Sequence, residues 1–257
     1  MARNDERLKD GLAVVTGAGG GLGRALAVEL CKRGVRVAGF GRRAETLQET
    51  GAFAGDRFES VICDVSNPGE VTHAFQDLRN RLGPVTVLIN NAATYPRRDF
   101  LEETPESFMA TVATNLGGPV ACCHAALQDM TASGFGRILN VATFADIAPL
   151  PTAGAYSVSK GAARILTRAL IADLGDRFPE IVIGDWMPGM LATKMGIAEG
   201  LDPAVSARWG AELALWHDPA LTGACFEQDR EVLMGGGLKS KLKNLLMLRR
   251  PARPRQI

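Results

Sequence analysis

Short runs of apolar, β-favouring residues recur along the chain at positions 12–16, 35–40, 58–63, 85–90, 138–141, 181–186 and 224–227. Between them lie longer segments, among them 22–33, 71–82, 106–131 and 155–178, whose apolar residues fall three and four apart, the spacing of a helix that buries one face. The short runs lack the alternation of a half-exposed sheet and read as strands covered on both sides. Strand and helix alternating from end to end predict a single α/β domain, a doubly wound sheet of about seven parallel strands with helices on both faces, over residues 1–237. A basic tail over 238–257 follows it, and no Pro/Gly/Ser-rich linker or internal repeat interrupts the domain.

Composition narrows the function classes. With 257 residues, 46% of them hydrophobic, and a formal charge of +1, the chain is neither a disordered protein nor a nucleic-acid-coating one. The polar amino terminus has no signal-peptide pattern and no later run approaches the about 20 apolar residues of a membrane span, so a cytoplasmic protein is expected. The five cysteines, Cys31, Cys63, Cys122, Cys123 and Cys225, are odd in number, lack metal-type spacing and read as buried free thiols. His73, His124 and His217 stand apart from one another and from acids at ligand spacing, so no metal site is expected.

Open α/β sheets place their ligands at the carboxyl ends of the strands, and the loop after the first run reads Thr16-Gly17-Ala18-Gly19-Gly20-Gly21-Leu22-Gly23. Its glycines allow a tight turn and close approach to a pyrophosphate, which the positive end of the next helix attracts. The alternative is an ordinary flexible turn. The second run ends in Phe40-Gly41-Arg42-Arg43 and offers no acid for a ribose 2′-hydroxyl. Arg42 and Arg43 suit a 2′-phosphate, which favours NADP(H) over NAD(H), unless they simply open a solvated helix.

Tyr156 and Lys160 lie four apart at the start of a long helical segment, so both side chains share one face. A neighbouring ammonium stabilises a phenolate, which makes Tyr156 a candidate general acid/base; read alone, the two could also be a surface pair.

With these residues in view, the chain resembles the short-chain dehydrogenase/reductase family in its short, single-domain, Rossmann-like form, over about residues 12–227. The family's motifs occur in order: Thr16–Gly23, Asp64-Val65, Asn90-Asn91-Ala92, Asn115, Thr143, the Tyr156/Lys160 pair, and Pro188-Gly189 followed by Thr193. The resemblance implies that Tyr156 exchanges a proton with the substrate oxygen and that Lys160 holds the nicotinamide ribose and lowers the phenol's pKa. Thr143 would supply a hydroxyl, and Asn115 would hold a water that links Lys160 to solvent. Thr16, Gly17, Gly21, Leu22 and Gly23 would cradle the dinucleotide, Asp64 and Val65 would line its adenine pocket, and Asn91 and Ala92 would contact it, with Asn90 bracing that side of the sheet. Pro188, Gly189 and Thr193 would meet the nicotinamide end. The implied reaction interconverts a small-molecule carbonyl and an alcohol, as in a ketoreductase, in a homodimer or homotetramer.

Three positions depart from the family pattern. Thr143 stands where serine is usual, and its extra methyl restricts the rotamer. Ala93 replaces the glycine that usually follows Asn90-Asn91-Ala92. Together they leave open a cofactor-binding regulatory or assembly protein that lacks turnover. Cys225-Phe226-Glu227-Gln228-Asp229 replaces a strand followed by Asp-Gly-Gly, which puts the tetramer contact in question and leaves a dimer through the helices containing Asn115 and Tyr156.

The family's substrate lid falls at about 190–217. It carries Met195, Trp209 and Trp216, with Met187 and Met190 at its root, and suits an apolar or cyclic substrate unless these groups only pack the lid down. The tail holds Lys239, Lys241, Lys243, Arg249, Arg250, Arg253 and Arg255 and no acid. Leu238, Leu242 and Leu245 at helical spacing would suit an amphipathic contact with an anionic surface, and a solvated tail is the alternative.

Overall fold

The structure is a computed structural model that describes residues 6–233 and 253–257. Its strands are β1 (Leu12–Thr16), β2 (Arg36–Gly41), β3 (Phe58–Ile62), β4 (Val85–Asn90), β5 (Gly136–Val141), β6 (Ile181–Met187), β7 (Cys225–Glu227) and β8 (Arg230–Glu231). They form one sheet in the order β3-β2-β1-β4-β5-β6-β7-β8. The first seven pair in parallel, as expected, and β8 adds a short antiparallel edge. Strand order reverses between β1 and β4, which opens a crevice at their carboxyl ends.

Eight α-helices are described: α1 (Glu6–Asp10), α2 (Gly21–Lys32), α3 (Ala44–Ala54), α4 (Pro68–Leu82), α5 (Pro105–Val112), α6 (Gly118–Ser133), α7 (Gly154–Leu174) and α8 (Pro203–Leu215). Alternate strand residues feed two cores. Ala13, Val15, Ile89, Leu139 and Trp186 pack with α2 and α8 on one face, and Val14, Phe40, Leu88, Ile138 and Ile183 pack with α4 and α6 on the other. Each fully buried large side chain contributes about 1.5–3 kcal/mol, so the two-sided burial explains why these strands carry apolar residues at successive positions.

The helix expected over 106–131 is interrupted. A π-helical turn, Ala113–Gly117, separates α5 from α6. An α-helical partner for the Asn115 carbonyl would be the N–H of Pro119, which proline lacks, so regular winding cannot continue through this point. All five cysteines are free and buried, as their sequence context suggested. Among the described residues, no helix is long and apolar enough to cross a membrane.

The carboxyl end returns to the sheet. Arg255 grips Glu231 through Nε (2.8 Å) and Nη2 (2.6 Å), and backbone bonds join Glu231 to Arg255 and Ile257 to Asp229. Residues 255–257 are therefore docked, with Ile257 against the α2/α8 core, while 238–252 of the expected basic tail lies outside the described residues.

Candidate active site

The glycine-rich loop is clipped to the end of β4. The Thr16 hydroxyl accepts the N–H groups of Asn91 and Ala92, each at 2.9 Å, and the Asn91 amide donates to the Thr16 carbonyl at 2.8 Å. Gly17 takes φ +71°, which favours glycine, and a Cβ at Gly23 would lie 2.1 Å from the Gly17 carbonyl oxygen. These two glycines let α2 run close under the loop. No side chain caps α2 at Gly20, so its first N–H groups are open to an anion. An uncapped helix end beneath a glycine cradle fits a dinucleotide pyrophosphate.

An open cleft of about 400 Å³ beside the loop is lined by Gly17, Gly19, Gly41, Arg42, Arg43 and Thr46. Arg42 is largely exposed and lies 3.8 Å from the Asp64 carboxylate. Burial pushes the Asp64 carboxyl up, but two bonds from Ser66 and the Arg42 charge outweigh it and hold the group below its usual range. Val65 is buried, in contact range of Gly118 at the start of α6. Arg24, which was not singled out in the sequence, ties α2 to the Gly19 carbonyl (2.8 Å), the Thr50 hydroxyl (3.1 Å) and the Glu49 carboxylate (2.6 Å).

Across the crevice, α7 presents Tyr156 and Lys160 together. The Lys160 ammonium donates to the Val141 carbonyl at 2.8 Å, and burial lowers its pKa to about 8 against the opposing pull of Asp185 and Asp146. Burial raises the pKa of Tyr156, the nearby Thr143 hydroxyl lowers it, and Tyr95 and Asp146 raise it. Tyr95 stacks on Tyr156 with ring centroids 4.4 Å apart and 24° between planes. Tyr95 also carries no local sequence signal, since the loop after β4 has no regular period.

The Asn115 carboxamide is fully engaged: it accepts the Thr94 N–H (2.8 Å) and donates to the Thr94 carbonyl (2.9 Å) and the Ser159 hydroxyl (3.0 Å). Ser159 in turn donates to the Tyr156 carbonyl at 2.9 Å. Asn90 donates to Asn140 (2.8 Å) and leaves its own buried Oδ1 without a partner.

The segment after β6 closes over the loop. Gly189 has φ +89°, the Pro188 carbonyl accepts the Ser206 hydroxyl at 2.9 Å, and the Thr193 methyl lies 3.3 Å from where a Gly21 Cβ would be. Trp209 and Trp216 pack on the core and Met187 is buried, whereas Met190 and Met195 stay exposed. Arg97 donates to the Gly196 carbonyl at 3.2 Å and links this segment to the Tyr95 loop. Among the described residues, no group of three His, Cys, Asp or Glu is placed to hold a metal ion.

This arrangement sets a glycine-rich cradle after β1 and a half-buried phenol beside a buried ammonium after β5, both at the carboxyl ends of the sheet. A profile of the family described as short chain dehydrogenase matches residues 11–203. The chain belongs to that family of oxidoreductases. It is 36% identical over 192 residues to 2-(R)-hydroxypropyl-CoM dehydrogenase of Xanthobacter autotrophicus, covering 72% of this chain and 76% of that one. It is 31% identical to carbonyl reductase family member 4 of Danio rerio, covering 89% and 98%. With the NADP-dependent (R)-specific alcohol dehydrogenase of Lentilactobacillus kefiri it shares 29% identity over 79% and 82% of the two chains. A short chain dehydrogenase from Bacillus anthracis has the same fold, with TM-score 0.76 at 22% identity over 86% of this chain and 95% of that one.

Proposed function

We propose that this short-chain dehydrogenase is an NADP(H)-dependent ketoreductase or alcohol dehydrogenase with Tyr156 as its acid/base. The observation that carries the reading is the half-buried Tyr156 one helical turn from the buried Lys160, with the Thr143 hydroxyl beside the phenol, in a fold whose α2 end is uncapped. The bound cofactor supplies or accepts the hydride. Tyr156 gives its proton to the carbonyl oxygen, or takes one from the alcohol, while Thr143 hydrogen-bonds the same oxygen. Lys160 keeps its charge at neutral pH, below its pKa of about 8, and so favours the phenolate and holds the ribose hydroxyls. Thr16, Leu22, Asn91, Ala92, Pro188, Gly189 and Thr193 hold the cofactor around the glycine cradle.

Arg42 and Arg43, both exposed on the cleft, support the 2′-phosphate reading, as does the NADP dependence named for the Lentilactobacillus relative. The exposed side chains of Phe144, Ile147, Leu150, Met190 and Met195 support an apolar or cyclic substrate.

A panel of ketones and alcohols, followed by reduced-nicotinamide absorbance, tests the reading. Turnover is expected with NADPH or NADP+, and Tyr156→Phe is expected to lower kcat by about 10²–10⁴-fold while cofactor still binds. A fully active Tyr156→Phe variant refutes the acid/base role. NADPH is expected to raise the melting temperature more than NADH at equal concentration, and equal shifts would refute the cofactor preference. Binding without turnover across the panel would favour the regulatory alternative.

A further inference from the structure

Arg164 lies on α7 one turn beyond Lys160 and two beyond Tyr156, on the same helix face. It is buried, at 6% exposure, and its guanidinium meets five acceptors. Nη2 donates to Asp146 Oδ1 at 3.0 Å and to the Thr143 carbonyl at 2.8 Å, and Nε donates to Asp146 Oδ2. The Cys225 and Met187 sulfurs lie 3.6 and 3.7 Å from Nη1 and Nη2. One side chain thus joins the segment after β5, helix α7, the end of β6 and the start of β7.

A pair this deeply buried gains little net stability over an apolar pair of similar volume, because desolvation offsets the attraction. What it does provide is placement. Asp146 is three residues from Thr143, the Thr143 hydroxyl accepts the Ala145 N–H at 3.2 Å, and Arg164 binds both ends of that turn. The charged and titratable groups around it are Tyr95 from the loop after β4, Asp146 after β5, Lys160 and Arg168 on α7, Asp185 on β6 and Cys225 on β7. Of these, the Asp146 carboxylate acts on both Tyr156 and Lys160.

We propose that Arg164, through its fork on Asp146 and the Thr143 carbonyl, is a positioning residue that sets the Thr143 hydroxyl beside Tyr156 and neutralises the carboxylate acting on that phenol. This rests on the reading of Tyr156 as the acid/base.

The chain has two tyrosines, so Tyr95→Phe leaves Tyr156 as the sole phenol, and its ionisation can be followed by ultraviolet absorbance without any substrate. In that background Asp146→Asn is expected to lower the Tyr156 midpoint by about one pH unit and Arg164→Gln to raise it by a similar amount. The double variant, Asp146→Asn with Arg164→Gln, is expected to return near the parent midpoint. It also lacks the tie on Thr143, so its kcat is expected to fall about ten- to a hundredfold with little change in KM. If the unpaired Asp146 of Arg164→Gln prevents folding, the near-isosteric Asp146→Asn still decides the sign. An unmoved midpoint in Asp146→Asn, shifts of equal sign in the two single variants, or full kcat in the double variant overturns the proposal. Turnover that survives Tyr156→Phe is a separate result and overturns the acid/base reading beneath it.

Discussion

Burial lowers Lys160 to about 8 and raises Asp185 to about 6, because in each case it penalises the charged form. Asp185 accepts the Thr167 hydroxyl at 2.6 Å, which, with Arg164 and Arg168, resists the rise without cancelling it. Between the ordinary carboxyl value of 3.8 and about 6, the folded protein holds a proton that the unfolded chain has lost, so this group's contribution makes stability fall as pH rises through that window. Asp185→Asn removes the effect. Its stability relative to the parent is expected to improve by about 2 kcal/mol between pH 4 and pH 7, measured by denaturant unfolding at both, and a pH-independent difference would show that Asp185 titrates normally. Tyr156 and Lys160 were legible in the sequence because a spacing of four is a helix face. Asp146, Arg164 and Asp185 were not, since they meet only after three separate elements have packed, and nothing local marks them as partners.

Helix α5, the π-helical turn and α6 show the same limit at the next scale. Apolar spacing runs through 106–131 as though one helix filled it, and periodicity registers faces, not the missing N–H of Pro119. The strands were legible to within a residue or two because β1, β4, β5 and β6 are buried on both faces, so their composition alone marks them. Helix α3 was not named, although a helix opened by the two arginines just before it was the alternative to their phosphate role: Leu47 and Thr50 are its only buried residues, too few for a pattern. The π-turn places the Asn115 carboxamide where it fastens Thr94 and Ser159, so its first contribution is structural. Asn115→Ala would leave these buried groups short of partners and is expected to cost about 2–3 kcal/mol, read as a lower unfolding midpoint. An alanine variant as stable as the parent would show that the carboxamide matters only for turnover.

At the scale of the whole molecule, near-neutrality is a sum of opposed parts: seven cations follow residue 237, so the preceding body carries about −6. The body also has an apolar stripe. Val158 and Ile165, seven apart on α7, are more than half exposed, with Met109 on α5 and Val120 on α6 also exposed, which supports the expected dimer through these helices. Val158→Arg with Ile165→Arg is expected to give a monomer by light scattering, and an unchanged mass would move the interface elsewhere. The described end of the chain meets the sheet edge where Gln256 bridges Arg230, and there Arg255 holds Glu231 and pulls that carboxyl below its usual range. Deleting 253–257 removes this charge-assisted pair and the edge pairing, and is expected to cost about 2 kcal/mol, roughly 4–8 °C in Tm. That deletion keeps five of the seven cations, whereas truncation at Leu238 removes all of them. If charge alone draws the segment to anionic vesicles, the short deletion retains most salt-sensitive binding and the truncation loses it. If the docked end is what presents the segment, both lose it, and the two deletions then separate only in how far their midpoints fall.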